Sequence, residues 1–170
     1  MKVVFLDIDG VLALPKQFHT NRDNLWKRDR HAYGLGVPYM FDEKCVIAFN
    51  RFLLMNAEMN IVLSSDWRKH FSQDTCDLIF KINGVAKSPI SFTPQLPPER
   101  FGESPESIRV REIREWLLIN TVATWCAVDD TDLSELGSRF IQTDYRMGFG
   151  QNGFIEKAER CLYPPYDVNN

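Results

Sequence analysis

The chain has 170 residues, enough for one domain with a full hydrophobic core, and its 44% hydrophobic and 25% charged shares are ordinary for a soluble globular protein. A net charge of −3 argues against a general nucleic-acid sleeve while permitting a local basic patch, and no apolar run approaches the roughly 20 residues of a membrane helix. The first apolar run breaks at Asp7, too early for a signal peptide. Cys45, Cys76, Cys126 and Cys161 are widely separated and form no Cys-x-x-Cys pair, so reduced thiols in a cytoplasm are expected rather than a zinc site or a disulfide framework.

In chain order, Val3 to Leu6 reads as a buried strand that ends abruptly in Asp7-Ile8-Asp9-Gly10. A buried strand does not end in two carboxylates unless something compensates them, and Mg²⁺, which takes oxygen ligands, is the natural compensation. Ala13 to Met40 is irregular, with Pro15, Gly34, Gly36 and Pro38 among aromatic and basic residues that include Phe18, Trp26, Lys27, Arg28 and Tyr33. Asp42 is placed to cap a helix running to about Glu58, with Val46, Phe49 and Leu53 at helical spacing. Asn60 to Leu63 is a second short strand, leading into Ser64-Ser65-Asp66-Trp67-Arg68. A helix with Phe71, Leu78, Ile79 and Ile82 comes next and stops near Asn83-Gly84.

Val85 to Phe92 is broken by Pro89 but long enough for a third strand, and Thr93 to Ser104, rich in proline, is loop. Ser104-Pro105 starts a helix whose inner face is marked by Ile113, Trp116, Leu117 and Asn120. Thr124 to Val128 is a strand ending in Asp129-Asp130, with Asp132 as a cap for the next helix. Phe140 to Gln142 suits a fifth strand, and Phe154 to Leu162 a last helix before Pro164-Pro165. Strands alternating with helices predict an α/β fold with a doubly wound parallel sheet. In such a sheet the polar strand ends at Asp7/Asp9, Ser64/Ser65 and Asp129/Asp130 lie on one edge and meet.

The order of these motifs resembles the haloacid dehalogenase-type (HAD) phosphohydrolases. The resemblance implies that Asp7 is the nucleophile and Asp9 the general acid/base, the chemistry of an aspartyl-phosphate intermediate. Ser64 corresponds to the hydroxyl that holds a phosphate oxygen, with Ser65 as a second contact. Asp7 and Asp129 would ligate Mg²⁺ directly, joined by the backbone carbonyl of Asp9, while Asp130 would hold a metal-bound water. The cationic residue is expected from the helix before Asp129: Arg109 points along the core face, Arg111 and Arg114 read as solvated, and Lys87 is the alternative.

A closer resemblance is to the small HAD domains of Swiss-army-knife RNA-repair proteins and their stand-alone relatives. It is carried by Phe5-Leu6-Asp7-Ile8-Asp9-Gly10-Val11-Leu12, Ile61-Val62-Leu63-Ser64-Ser65-Asp66-Trp67-Arg68, Arg109 to Leu117, Val128-Asp129-Asp130 and Gln142 to Phe149. The relatives usually carry a third serine where Asp66 stands. Trp67 is expected to pack under the sheet and Arg68 to pair locally, the competing reading being Arg68 on a substrate phosphate. His19, His31 and His70 read as surface residues.

The cap positions are short, so the chain is expected to be a single HAD-like domain over 1–170 without a large cap, with 13–40 as a small flap and an open site. The expected activity is a Mg²⁺-dependent phosphomonoesterase acting on a nucleotide or nucleic-acid terminal phosphate, through base stacking on the flap. The alternatives are a phosphatase for another phosphorylated small molecule or a phosphoprotein, and a non-catalytic phosphate- or partner-binding module.

Overall fold

The computed structural model describes residues 1–15 and 41–163. Most of the flap expected over 13–40, with Trp26, Lys27, Arg28, Tyr33, His19 and His31, lies outside the described residues, as does Pro164-Pro165. The elements are β1 (Lys2–Leu6), α1 (Glu43–Met55), β2 (Met59–Leu63), α2 (Gln73–Ile82), β3 (Pro89–Phe92), α3 (Pro105–Ile119), β4 (Thr124–Asp129), β5 (Phe140–Gln142) and α4 (Phe154–Leu162). Short 3₁₀ turns occupy Asp66–Lys69, Ser134–Arg139 and Gly148–Gly150.

The strands form one sheet in the order β3-β2-β1-β4-β5, and each neighbouring pair is parallel. The expected doubly wound α/β sheet is therefore present. Strand alternation sends Val4 and Leu6 of β1 to one face, where α1, α2 and α4 cover them with Phe49, Phe52, Phe80 and Phe154. Val3 and Phe5 face the other way, onto Val110, Ile113 and Trp116 of α3 and onto Leu133 and Leu136. Helices cover both faces, but unequally: among the described residues α3 is alone on its side apart from the turn at Ser134–Arg139.

Local chemistry sets the helix starts. Asp42 Oδ1 accepts from the backbone N–H groups of Lys44 (3.0 Å) and Cys45 (3.2 Å). Ser104 Oγ accepts from the Ser107 N–H at 3.1 Å, with Pro105 at the first helical position. Three expectations shift. First, α1 stops at Met55 rather than Glu58. The backbone and side-chain amides of Asn56 both donate to Phe52 O, and the Met59 N–H then bonds to Asn56 O, turning the chain into β2. Second, the buried face of α2 is Cys76, Ile79 and Phe80; Phe71 precedes the helix and Ile82 is exposed. Third, β3 begins only at Pro89, where a proline is tolerated because β3 is an edge strand. No helix among the described residues is long and apolar enough to cross a membrane.

Candidate active site

Leu6 pairs with Leu63 on β2 and with Val128 on β4. The ladder runs one step further, with the Asp7 N–H on Val128 O (3.0 Å) and the Ser64 N–H on Leu6 O (2.9 Å). Asp7, Ser64 and Asp129 therefore stand side by side where the sheet ends. Each comes two residues after one packed toward α3 (Phe5, Val62 and Ala127), so alternation aims all three to the side from which Arg109 approaches.

Arg109, in the second turn of α3, fills that position. Its Nη1 lies 2.7 Å from Asp129 Oδ2 and 3.3 Å from Asp7 Oδ2, and its Nη2 lies 3.3 Å from Asp66 Oδ1. Asp66 also meets Lys69 Nζ at 2.8 Å. Burial opposes the Arg109 charge, but Asp7 and Asp129 more than offset it, and the guanidinium stays protonated. Asp7 and Asp129 are buried. Burial and then the Asp129 charge push the Asp7 carboxyl well above the usual carboxylate range, against the pull of Arg109, the Ser65 hydroxyl and the Ile8 N–H. Asp130 is raised by the same two causes, burial first and Asp129 second.

One carboxylate oxygen from each of Asp7, Asp129 and Asp130 lies within 4.8 Å of the others. Three acidic oxygens against one guanidinium leave an excess of negative charge, and an all-oxygen set is what a hard divalent cation takes. These residues fit such an ion. The Asp9 carboxylate is outside the cluster and turned elsewhere, accepting from Trp67 Nε1 at 3.0 Å.

Backbone and hydroxyl groups fix the acids. Asp129 Oδ1 accepts from the Thr131 N–H (2.9 Å) and hydroxyl (2.7 Å). Gly10 adopts a left-handed φ of 69°, and a Cβ there would overlap the Asp130 side chain, 2.6 Å from its Cβ. The Thr143 hydroxyl donates to Gly10 O at 2.9 Å, tying the loop after β5 to the loop after β1.

The two serines divide the work. The Ser65 hydroxyl faces the Asp7 carboxylate and pulls its pKa down, and Ser65 Oγ accepts from the Trp67 N–H at 3.4 Å, capping the 3₁₀ turn. Ser64 Oγ is buried and makes no hydrogen bond among the described residues.

Several other residues take places the sequence left open or did not indicate. Lys87 donates to the carbonyls of Ala57 and Met59, at the amino end of β2, so this alternative to Arg109 lies at the wrong end of the sheet. Arg68 is buried, ion-paired with Glu112 of α3 and donating to Ser65 O at 2.7 Å, the local pairing expected. Glu112 also accepts from the Leu96 N–H at 3.0 Å. Arg111 is not simply solvated: it clamps the loop after β3 through Glu99, Glu103 and Pro97 O. Asp132 accepts from the Ser134 N–H at 2.9 Å and leads into a 3₁₀ turn rather than an α-helix. His70 is exposed, as expected. Sequence reasoning missed the Trp67–Asp9 bond and the burial of Glu112. Glu112 did carry a signal, since it stands four residues before Trp116 on the inner face of α3.

Comparison with known proteins agrees with this geometry. No curated protein and no solved structure shows significant similarity to the chain. A family model, described as the HAD domain in Swiss Army Knife RNA repair proteins, matches residues 3–153. That span contains β1 to β5, both acidic strand ends, the Ser64-Ser65 turn and Arg109, and it places the chain in the HAD domain family of Swiss Army Knife RNA repair proteins, a branch of the HAD-type hydrolases.

Proposed function

We propose that the chain is a Mg²⁺-dependent phosphomonoesterase that works through an aspartyl-phosphate on Asp7, with terminal phosphates of nucleotides or nucleic acids as substrates. The observation that carries the reading is the surroundings of Asp7. A buried carboxylate at a strand end is faced by an arginine, a hydroxyl and a second acidic pair, with an orphaned buried hydroxyl alongside.

Asp7, Asp129 and the Asp9 main chain would hold the ion, with Asp130 acting through a bound water; when bound, it neutralises charge on the phosphate and the nucleophile. The residues of the chain do the rest. An Asp7 carboxylate oxygen forms the bond to phosphorus as the bond from phosphorus to the ester oxygen breaks, and Asp9 gives its proton to that departing oxygen. Water then attacks the acyl-phosphate, returning Asp7 and inorganic phosphate, while Asp9 takes the proton of the attacking water. Ser64, whose buried hydroxyl has no partner among the described residues, would bond a phosphate oxygen. Arg109 would offer a second contact to the transferring group, and Ser65 would keep Asp7 oriented. The absence of any disulfide among the four cysteines suits a reducing compartment such as the cytoplasm.

The family description supports a nucleic-acid phosphate as substrate. The net charge of −3 and the exposed Asp66 beside Arg109 favour a short substrate over a long duplex, because they supply no long-range attraction for a polyanion. The test has two parts. Asp7→Asn should abolish Mg²⁺-dependent hydrolysis of an aryl phosphate without altering the circular dichroism spectrum, and turnover like that of the wild type would overturn the nucleophile assignment. Specificity constants for mononucleotides, phosphate-ended oligonucleotides and hexose phosphates, repeated with Trp26→Ala, then decide the substrate class. A preference for the hexose phosphates would transfer the enzyme to metabolite phosphatases.

A further inference from the structure

The Asp9 carboxylate is exposed at the mouth of the site, yet one of its oxygens is held from below. Trp67 Nε1 donates to Asp9 Oδ2 at 3.0 Å. Among the described residues no other side chain hydrogen-bonds this carboxylate. The indole itself cannot move freely. It is buried, its ring centroid lies 5.9 Å from that of Phe41 and 5.4 Å from that of Phe71, and its backbone N–H is capped by Ser65. Arg68 and Glu112 anchor the same short turn to α3. Ser65, two residues earlier, faces Asp7 and lowers its pKa. The stretch Ser65-Asp66-Trp67 thus touches both acids that leave the end of β1.

We infer that Trp67 is a positioning residue for Asp9, fixing which of its two carboxyl oxygens carries the proton that goes to the leaving group. The inference rests on the phosphomonoesterase reading and deepens it. An indole N–H only donates, so the oxygen it faces must accept. The carbonyl oxygen of a carboxylic acid is much the better acceptor, so the proton of a protonated Asp9 is favoured on Oδ1. A carboxyl free to rotate would present either oxygen and spend much of its time with the proton misdirected. Held by a rigid indole, it presents Oδ1–H in one direction, with the rotamer already selected before substrate arrives. In the forward step the Oδ1–H bond breaks as the bond from phosphorus to the ester oxygen breaks, and the proton ends on that oxygen. The alternative is that Trp67 is only a core residue, its N–H finding the nearest acceptor as buried indoles usually do. The two differ in one respect: a core role has no reason to depend on the leaving group.

Trp67→Phe keeps the ring packing and removes the N–H. The kcat/KM values report the step in which the leaving group departs, and we compare an aryl phosphate with a good leaving group and an alkyl phosphate with a poor one, at saturating Mg²⁺. The alkyl ester, which needs the proton, should lose tenfold or more. The aryl ester should lose several-fold less, so that kcat/KM depends more steeply on leaving-group pKa. In an Asp9→Asn background the same substitution should have no further effect on either ester. Equal losses on both esters, or losses that multiply with Asp9→Asn, would overturn the inference. An indole proton signal tests the contact independently and does not require Trp67→Phe to fold. Asp9→Ala should shift one of the four tryptophan Nε1–H resonances upfield, and no shift would overturn the positioning role. If the wild type hydrolyses neither ester, the phosphatase reading falls, and the indole signal alone decides whether Trp67 holds Asp9.

Discussion

Gly10 shows how one residue without a side chain holds the site together. Its left-handed φ costs an alanine about 1–2 kcal/mol, and the added methyl would stand where the Asp130 carboxylate now packs. Gly10→Ala should therefore leave the sheet intact but push Asp130 out of the acidic cluster. The expected outcome is a rise of tenfold or more in the Mg²⁺ concentration for half-maximal activity, with an unchanged far-ultraviolet spectrum. The two strand-end acids should differ as well. Asp129 is buried, bonds Thr131 twice and pairs with Arg109, whereas Asp130 is half-buried and rests against Gly10. Removing Asp129 frees Arg109 and takes away the more rigid of the two carboxylates. Asp129→Ala should raise the half-saturating Mg²⁺ concentration more than Asp130→Ala, and a titration of both variants showing the reverse order would exchange their roles.

The turn after β2 and helix α3 are joined by an ion pair that the sequence could only hint at. Arg68 and Glu112 are both buried, and Glu112 also holds the Leu96 N–H, so one carboxylate ties the Ser64-Ser65 turn, α3 and the loop after β3 together. Removing one partner leaves a charge uncompensated in the interior, a loss of about 3–5 kcal/mol. Arg68→Ala should lower the melting temperature by about 10 °C. The double change Arg68→Met with Glu112→Leu should lower it by less, because no orphan charge remains; equal destabilisation by single and double variants would show that the pair is not the cause. This pair also marks where legibility ended. β1, β2 and β4 were readable because short apolar runs break at polar residues, and Asp7, Ser64 and Asp129 share a side because strand alternation has a period of two. Arg109 was readable from its place four residues before Ile113. The contacts of the turn at Asp66–Lys69 were not, because they join distant stretches of chain: Trp67 to Asp9 depends on how the loop after β1 lies beside the turn, Arg68 to Glu112 on how α3 docks, and no local period encodes either. The length of α1 was misjudged for a related reason, since Asn56 stops it with two bonds to one carbonyl that spacing does not reveal.

At the scale of the whole molecule, the site is a store of unfavourable charge that the rest of the fold sustains. Burial and the neighbouring Asp129 raise the Asp7 carboxyl above its ordinary value of 3.8. A group raised on folding contributes stability that is fully present below its unfolded pKa and is lost as pH rises through the folded one. In the metal-free protein, stability should therefore decline from about pH 4 upward, as Asp7 is made to ionise beside Asp129. A divalent cation held by these acids would reverse this, taking the place of the proton and binding the ionised carboxylates only in the folded state. Thermal melts with chelator and with Mg²⁺, at pH 6 and pH 8.5, test the argument. Mg²⁺ should raise the melting temperature at both, and by more at pH 8.5, where fewer protons compete. Asp7→Asn separates the terms, since the amide keeps the shape of the side chain and cannot ionise. With chelator at pH 8.5 the variant should melt above the wild type, the gap should close toward pH 4, and Mg²⁺ should stabilise it far less. Were the variant to melt below the wild type in chelator at pH 8.5, Arg109 would outweigh Asp129, and Asp7 would be a stabilising partner rather than a strained nucleophile. The expected order has a physical source: on the proposed function, an acid that attacks phosphorus cannot also be fully satisfied by its own protein, and the core that Phe5, Val62 and Trp116 build beneath it sustains the difference.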